Sequence, residues 1–403
     1  MMKKKQFKIL MVHPHDIYSA SEPWTIRITY LAEEFVKKGH EVKLVYFPLP
    51  SNKRGKILKE KHKEFETIPF NRRKWFLFKN ILRMYKLSKW ADIIHFQKYF
   101  SIASIPSLFA AYLRGIPIHY DWDDWEYAIY KWDTPSIIYG WYLNILEKIM
   151  PRLADSVSVS SNHLRKMTLE KGVAKNKISD SHVGADLKKF NPNNKGYKIK
   201  KLHNIKQPLV LYLGQIHGGQ YTELFLKAAK IILKEKNIKA DFMIAGGGEF
   251  LPELKRRNKL LGLKNKIIFT NYLNYDKIPE HIAAADVCVA AFEDNNITKC
   301  KSPLKIVEYM ASGKAIVASR VGEVPKMLKD SGIIVKPGDE KALAKGIITL
   351  LKDKSLRTKL GEKARKRAEE EYNWEVTANN LLKAYKKTKI KTHYRNEKIS
   401  KKQ

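Results

Sequence analysis

Short apolar runs of four to eight residues alternate with amphipathic stretches of ten to fifteen along most of the chain, and few folds accept that alternation. It reads as repeated strand–helix units, which assemble into mostly parallel sheets with helices on both faces. Strands are expected near Lys8–His13, Glu41–Phe47, Asp92–Phe96, Ile116–Asp121 and Ser156–Ser160. A second set is expected near Leu209–Leu213, Asp241–Ala245, Lys266–Thr270, Val287–Ala291, Ala315–Ser319 and Gly332–Val335. Between the sets, Leu187–Gln207 holds Asn191-Pro192-Asn193-Asn194 and several lysines with little apolar periodicity, and is expected to be a linker. Each half then carries its own doubly wound, Rossmann-like sheet, and such sheets take ligands beyond the carboxyl ends of their strands. The expected fold class is α/β, with two such domains facing a central cleft.

A chain of 403 residues, 44% apolar and 11% aromatic, has material for more than one core, which excludes global disorder despite a net charge of +36. The longest uncharged stretches, Tyr99–Leu113 with its Pro106 and Thr134–Leu146, fall short of the roughly 20 apolar residues that cross a bilayer. No membrane-spanning helix is expected. The basic start Met1-Met2-Lys3-Lys4-Lys5 runs into a short strand-like segment at Phe7–Pro14, not the long apolar region of a signal peptide, so a cytoplasmic location is expected. Cys288 and Cys300 have neither disulfide-framework nor zinc-site spacing.

The second half carries phosphate chemistry. Lys301-Ser302-Pro303-Leu304-Lys305-Ile306-Val307-Glu308 follows a strand and opens a helix, with Ser302 expected to cap it and Pro303 to set its first turn. Free N–H groups at a helix start, with Lys305 in the first turn, suit a diphosphate, and Glu308 lies close enough to accept hydrogen bonds from a ribose diol. The plainer alternative is an ordinary capped helix whose Glu308 only favours the positive end of the dipole. Gly246-Gly247-Gly248 follows another strand and lets backbone amides approach a ligand, although it lacks G-x-G-x-x-G spacing.

With these residues the chain resembles the retaining glycosyltransferases of family 4, or glycosyl transferases group 1, which have the two-domain GT-B fold. The likeness covers roughly residues 7–385. Its carriers are Leu211-Tyr212-Leu213-Gly214, Ile244-Ala245-Gly246-Gly247-Gly248-Glu249, Ile278-Pro279-Glu280, Ala285-Asp286-Val287, and Ser302–Gly313 running into Ala315–Ser319. The resemblance implies that Glu308 holds the donor ribose, and that Ser302, Pro303, Leu304 and Lys305 contact the diphosphate, aided by Lys301. It also places Gly214, Gln215, Gly246 and Gly247 beside the donor. Cys300 stands where the family's earlier glutamate of E-x7-E would fall, and Gln215 where a basic residue is usual, so donor charge falls to Lys305, Lys301 or Lys299. The implied domains are an acceptor domain over 1–190, a donor domain over 205–370 and a cross-over helix over 371–385. Eight Lys/Arg against one Glu from Tyr385 onward suggest a solvated basic tail over 386–403.

In the first half, Pro117-Ile118-His119-Tyr120-Asp121-Trp122-Asp123-Asp124-Trp125-Glu126-Tyr127 puts three aspartates among aromatics at a strand's end, costly to bury without partners. Asp121-Trp122-Asp123 can be read as the D-x-D metal motif of the GT-A fold. The family-4 pattern instead has a strand ending in Tyr-Asp followed by a His-Asp pair, matched here by Asp123-Asp124. The resemblance then gives Asp123 and Asp124 the task of steadying charge near the anomeric carbon. It gives Lys305 that of stabilising the leaving diphosphate, which itself takes the acceptor proton, so no base and no metal cofactor are required. Glu22, Trp24 and Arg27, in the loop and helix after the first strand, are the acceptor-site candidates.

Residues 71–90 carry seven basic groups, five aromatics and no acids, which suits an anionic membrane surface, with the apolar segment Ile137–Leu146 as a second contact. Nucleic acid is not an expected partner, since neither zinc spacing nor a recognition-helix or RNA-binding motif occurs. The function expected is a retaining glycosyltransferase, peripheral on the inner face of the plasma membrane. It moves a hexosyl unit from a nucleotide-diphospho-sugar to a lipid-linked or growing glycan. The alternatives are a metal-dependent GT-A-type transferase using Asp121 and Asp123, a non-catalytic sugar-nucleotide or glycan-binding scaffold, and a nucleotide-sugar epimerase.

Overall fold

Leu209-Val210-Leu211-Tyr212-Leu213 is apolar at every position because both faces of its strand are covered: Leu209, Leu211 and Leu213 enter one buried cluster, Val210 and Tyr212 another. The computed structural model describes residues 6–19, 22, 25–53, 62, 64–133, 136–216 and 221–400. They form two compact units, Met1–His182 with Trp374–Gln403, and Val183–Asn373.

The first unit holds a parallel sheet of seven strands in the order β3-β2-β1-β4-β5-β6-β7. These are β1 (Lys8–Val12), β2 (Glu41–Tyr46), β3 (Glu66–Pro69), β4 (Ile93–Gln97), β5 (Ile118–Trp122), β6 (Ser156–Val159) and β7 (Ile178–Asp180). The second unit's parallel sheet has six strands in the order β10-β9-β8-β11-β12-β13. They are β8 (Leu209–Leu213), β9 (Asp241–Ala245), β10 (Ile267–Phe269), β11 (Val287–Ala290), β12 (Ala315–Ser319) and β13 (Ile333–Val335). In each unit the winding reverses once, between β1 and β4 and between β8 and β11, and the carboxyl ends of those pairs are where a doubly wound sheet holds its ligand.

Two edge strands, β3 and β7, escape sequence reading because Glu-Thr-Ile-Pro and Ile-Ser-Asp are short and polar, as edges often are. The boundary falls at His182/Val183 and not at 190, because Ala185 and Phe190 are buried in the second unit's core. The expected linker is likewise packed, with a helix at Tyr197–Leu202 and Ile199 buried. The last helix spans Trp374–Ser400 and takes in most of the expected tail, since neither Gly nor Pro interrupts it. It belongs to the first unit: Trp374 stacks on Tyr30 at 5.6 Å, and the Tyr385 hydroxyl lies 2.6 Å from His95 Nδ1.

Arg27 ties that unit together. Its Nε and Nη2 donate to the two oxygens of Asp121 at 2.7 and 2.9 Å, and its remaining donors reach Ser181 and the His182 carbonyl. Parallel register sets Asp121 beside Ser158, whose hydroxyl donates to the same carboxylate. Arg27 and Asp121 are almost wholly out of water, so removing one partner strands the other's charge. Arg27→Leu is expected to cost about 3–5 kcal/mol, read as lost hydrogen-exchange protection in β5 and β6. Arg27→Leu with Asp121→Leu should recover most of it.

Candidate active site

At the β8/β11 reversal of the second unit, backbone replaces side chains. Gly214 follows β8 with φ +149° and Gly246 follows β9 with φ +142°, both in the region that favours glycine. A Cβ on Gly214 would sit 2.6 Å from Lys305 Nζ, and one on Gly246 would sit 2.0 Å from the Gly214 oxygen. The two turns nest through hydrogen bonds from Gly214 N to Ala245 O and from Ile216 N to Gly247 O, with Gly247 packed against Tyr272 and Gln215 exposed. Lys305 Nζ lies 4.3 Å from the Tyr212 ring and 5.7 Å from that of Phe292, so two aromatic faces hold the cation over Gly214.

Lys305 is in the first turn of the helix Leu304–Ala311. Ser302 does not cap that helix. Pro303 is itself the cap residue, and the Ser302 hydroxyl, one position too early, accepts from Val183 N at 3.5 Å. The N–H groups of Leu304 and Lys305 precede the first intrahelical bond, Ile306 N to Pro303 O, and so stand at the amino end of the helix. Lys301 is half-buried beside them, whereas Lys299 pairs with Asp294 at 3.0 Å. Glu308, on the next turn, is 3% exposed and accepts from the Tyr275 hydroxyl at 2.9 Å. Burial pushes its carboxyl up to about 8, against that hydrogen bond and the charges of Lys189 and Lys305. Gly214, Gly246, Lys305 and Glu308 are thus gathered at one end of one sheet, with Ser302, Pro303 and Leu304 at the helix start.

At the β1/β4 reversal of the first unit, Gln97 Nε2 donates to Asp123 Oδ2 at 2.7 Å and Lys98 Nζ lies 3.3 Å from Oδ1. Lys98 also bonds Glu126 at 2.9 Å and is 5% exposed. It adopts φ +62°, a conformation a lysine takes at a cost of about 1–3 kcal/mol. Burial raises the carboxyls of Asp123 and Glu126, the latter to about 8, because two buried acids share one ammonium. Asp124 is half-buried, and its carbonyl accepts from Trp122 Nε1 at 2.7 Å. Gln97, Lys98 and Glu126 were not among the candidates from sequence, nor was Tyr275.

The acceptor candidates fare differently. Arg27 is committed to Asp121 inside the fold, since its donors all go to buried protein atoms. Glu22 accepts from both Nη atoms of Arg72, from His15 and from Asp16 N. Burial would raise its carboxyl, but His15 and Arg72 outweigh it and hold it at about 2. Trp24 lies outside the described residues. The D-x-D reading fails because Asp121 gives its oxygens to Arg27 and Ser158. Among the described residues, the side chains that converge as metal ligands are Glu33, His62 and Glu64, which include neither Asp121 nor Asp123.

A family profile described as Glycosyl transferases group 1 matches residues 194–367, and one described as Glycosyltransferase Family 4 matches residues 25–189. The chain belongs to the glycosyl transferases group 1 family. Its GT-B fold is that of Anabaena HepE, solved in complex with UDP and glucose, at a TM-score of 0.74 over 95% of this chain and 100% of that one, with 15% identity. An uncharacterized glycosyltransferase of Methanocaldococcus jannaschii is 27% identical over 251 residues, 61% of each chain. The sulfoquinovosyl transferase of Arabidopsis thaliana is 27% identical over 259 residues, 61% of this chain and 48% of that one. The matched stretch therefore spans less than two thirds of either relative.

In this family member, Cys300 is buried at the end of the short helix Asn296–Cys300, away from solvent. Lys98 supplies the one buried ammonium to Asp123 and Glu126, so Lys98→Met should destabilise the first unit by about 3–5 kcal/mol at pH 8. Carboxyls with raised values favour the folded state below their unfolded pKa and lose that contribution as pH rises. The deficit should therefore shrink towards pH 5, a trend that denaturant unfolding at the two pH values checks.

Proposed function

We propose that this glycosyltransferase moves a hexosyl unit, with retention, from a nucleotide-diphospho-sugar to a lipid-linked or growing glycan acceptor. The observation that carries the donor part is the gathering of Lys305, two nested glycine turns and the buried carboxylate of Glu308 at one sheet end. The nucleotide and sugar bound by the HepE structure support the same reading. Lys305 and the N–H groups of Leu304 and Lys305 take the charge of the departing diphosphate, each lost donor costing about 2–4 kcal/mol by analogy with oxyanion sites. The departing phosphate takes the acceptor's proton on the same face of the sugar. Asp123, clamped by Gln97 and Lys98, with Asp124 beside it, steadies positive charge at the anomeric carbon. The reading assigns no metal to transfer, consistent with Asp121 being spent on Arg27 and Ser158.

An acceptor at a membrane suits the surface of the first unit. The helix Leu77–Ser88 buries Asn80 and Met84 yet turns Phe78 and Leu82 outward, and Trp75 just before it is 75% exposed. Ile137, Ile138 and Trp141 project from the helix Ile137–Leu153, and Lys74 Nζ, 5.2 Å from the Tyr139 ring, joins the two groups. Exposed Lys79, Arg83 and Lys86 complete a basic, aromatic surface suited to anionic lipid on the inner face of the membrane. No helix among the described residues is long and apolar enough to cross a membrane.

Product analysis with candidate sugar-nucleotides tests transfer. Glu308→Ala should raise the donor KM, and Asp123→Asn should lower kcat with a chelator leaving turnover unchanged. Nucleotide binding with no transfer to any acceptor would favour the scaffold reading that Cys300 and Gln215 invite. Because burial holds the Glu308 carboxyl up at about 8 and the ribose diol prefers its ionised form, nucleotide affinity should rise about tenfold from pH 7 to 9, and not in Glu308→Gln. Flotation with anionic and neutral liposomes checks the surface: Trp75→Ala with Trp141→Ala should cut recovery on anionic vesicles. Equal recovery of the parent on both vesicle types would remove the membrane claim.

A further inference from the structure

The carboxylate given to the ribose is not held by its own helix. Among the described residues its hydrogen-bond partner is Tyr275, which begins the short turn Tyr275–Lys277 after β10. That ring is fixed on two sides. Phe190 meets it edge-on at 5.8 Å, and Lys189 Nζ lies 4.2 Å from its centre, while Asp276 pins Lys189 at 2.6 Å. Asn274 accepts from Asp276 N at 3.2 Å and holds the turn itself. The phenol reaches Glu308 Oε1, and Oε2 takes no hydrogen bond from the described residues.

We infer that Tyr275 is a specificity-determining residue for the sugar of the nucleotide: it occupies one oxygen of Glu308 and presents the other as an acceptor to ribose hydroxyls. The inference rests on the reading of Glu308 as the ribose carboxylate. A carboxylate oxygen set in a buried site and aimed by a rigid partner discriminates against an analogue that cannot donate to it, because the oxygen is then left unpaired. Without the phenol, Glu308 is free to rotate about its side chain, and the acceptor geometry that tells ribose from deoxyribose is lost. Lys189 and Phe190 act through Tyr275, so Tyr275 is a positioning residue and Glu308 the contact.

Calorimetric titration of the full chain with UDP and 2′-deoxy-UDP, and in parallel GDP and 2′-deoxy-GDP, tests this in the parent and in Tyr275→Phe, which keeps the packed ring. The parent should prefer the ribonucleotide about tenfold or more. Tyr275→Phe should bring the ratio down at least threefold, raise the donor KM and leave kcat within about twofold. Lys189→Met, which leaves the phenol in place but unpins the ring, should lower the ratio by less. A ribose preference unchanged in Tyr275→Phe overturns the inference alone, and one absent from a parent that binds nucleotide overturns it together with the reading of Glu308 as the ribose carboxylate. A parent that binds no nucleotide overturns it together with the donor reading.

Discussion

The buried pair of Arg27 and Asp121 is the constraint on which the first unit is built. An arginine from the first helix and an aspartate from β5 are satisfied only if the helix, β5, β6 and the chain after β7 come together in one register. Burying both charges is costly, and the cost is met by a fork-shaped pair with further partners at Ser158 and two carbonyls. The same network reaches His95, which burial lowers to about 4 and keeps neutral beside the Tyr385 hydroxyl. The last helix is thereby fastened to strands that lie far from it in sequence.

The donor site proposed for the second unit answers a different demand. An anionic ligand needs donors, and side chains large enough to supply them would fill the space that it requires. Glycines at 214 and 246 give up side chains so that backbone turns nest, and Lys305 lies over the gap against Tyr212 and Phe292. Charge is supplied by one lysine and two amides at a helix start, and polarity by one buried acid held from across the sheet end by Tyr275.

Much of this was legible in the sequence. Interior strands such as Leu209–Leu213 announce themselves because both faces are buried, and Lys305 and Glu308 lie in one contiguous motif. Gln97 and Lys98 carry no such signal. They end β4, and only the pairing of β4 with β5 puts them beside Asp123. Tyr275 is 33 residues from Glu308, and nothing local marks it. Arg27 was misjudged for the complementary reason: a cation near a loop looks available until its distant partner is known. Local chemistry reads from sequence, whereas assignments that depend on which strands are neighbours do not.

The second unit begins and ends at touching residues. Ala185 N donates to Tyr372 O, and Ala185 bridges Asn373. It is in effect an insertion into the first unit, whose chain is interrupted between His182 and Trp374. During synthesis the inserted unit can complete its core while the earlier one still waits for Trp374 and Tyr385. The unit whose translation begins earlier is therefore finished later, with Tyr30 and His95 waiting for the partners that the last helix brings.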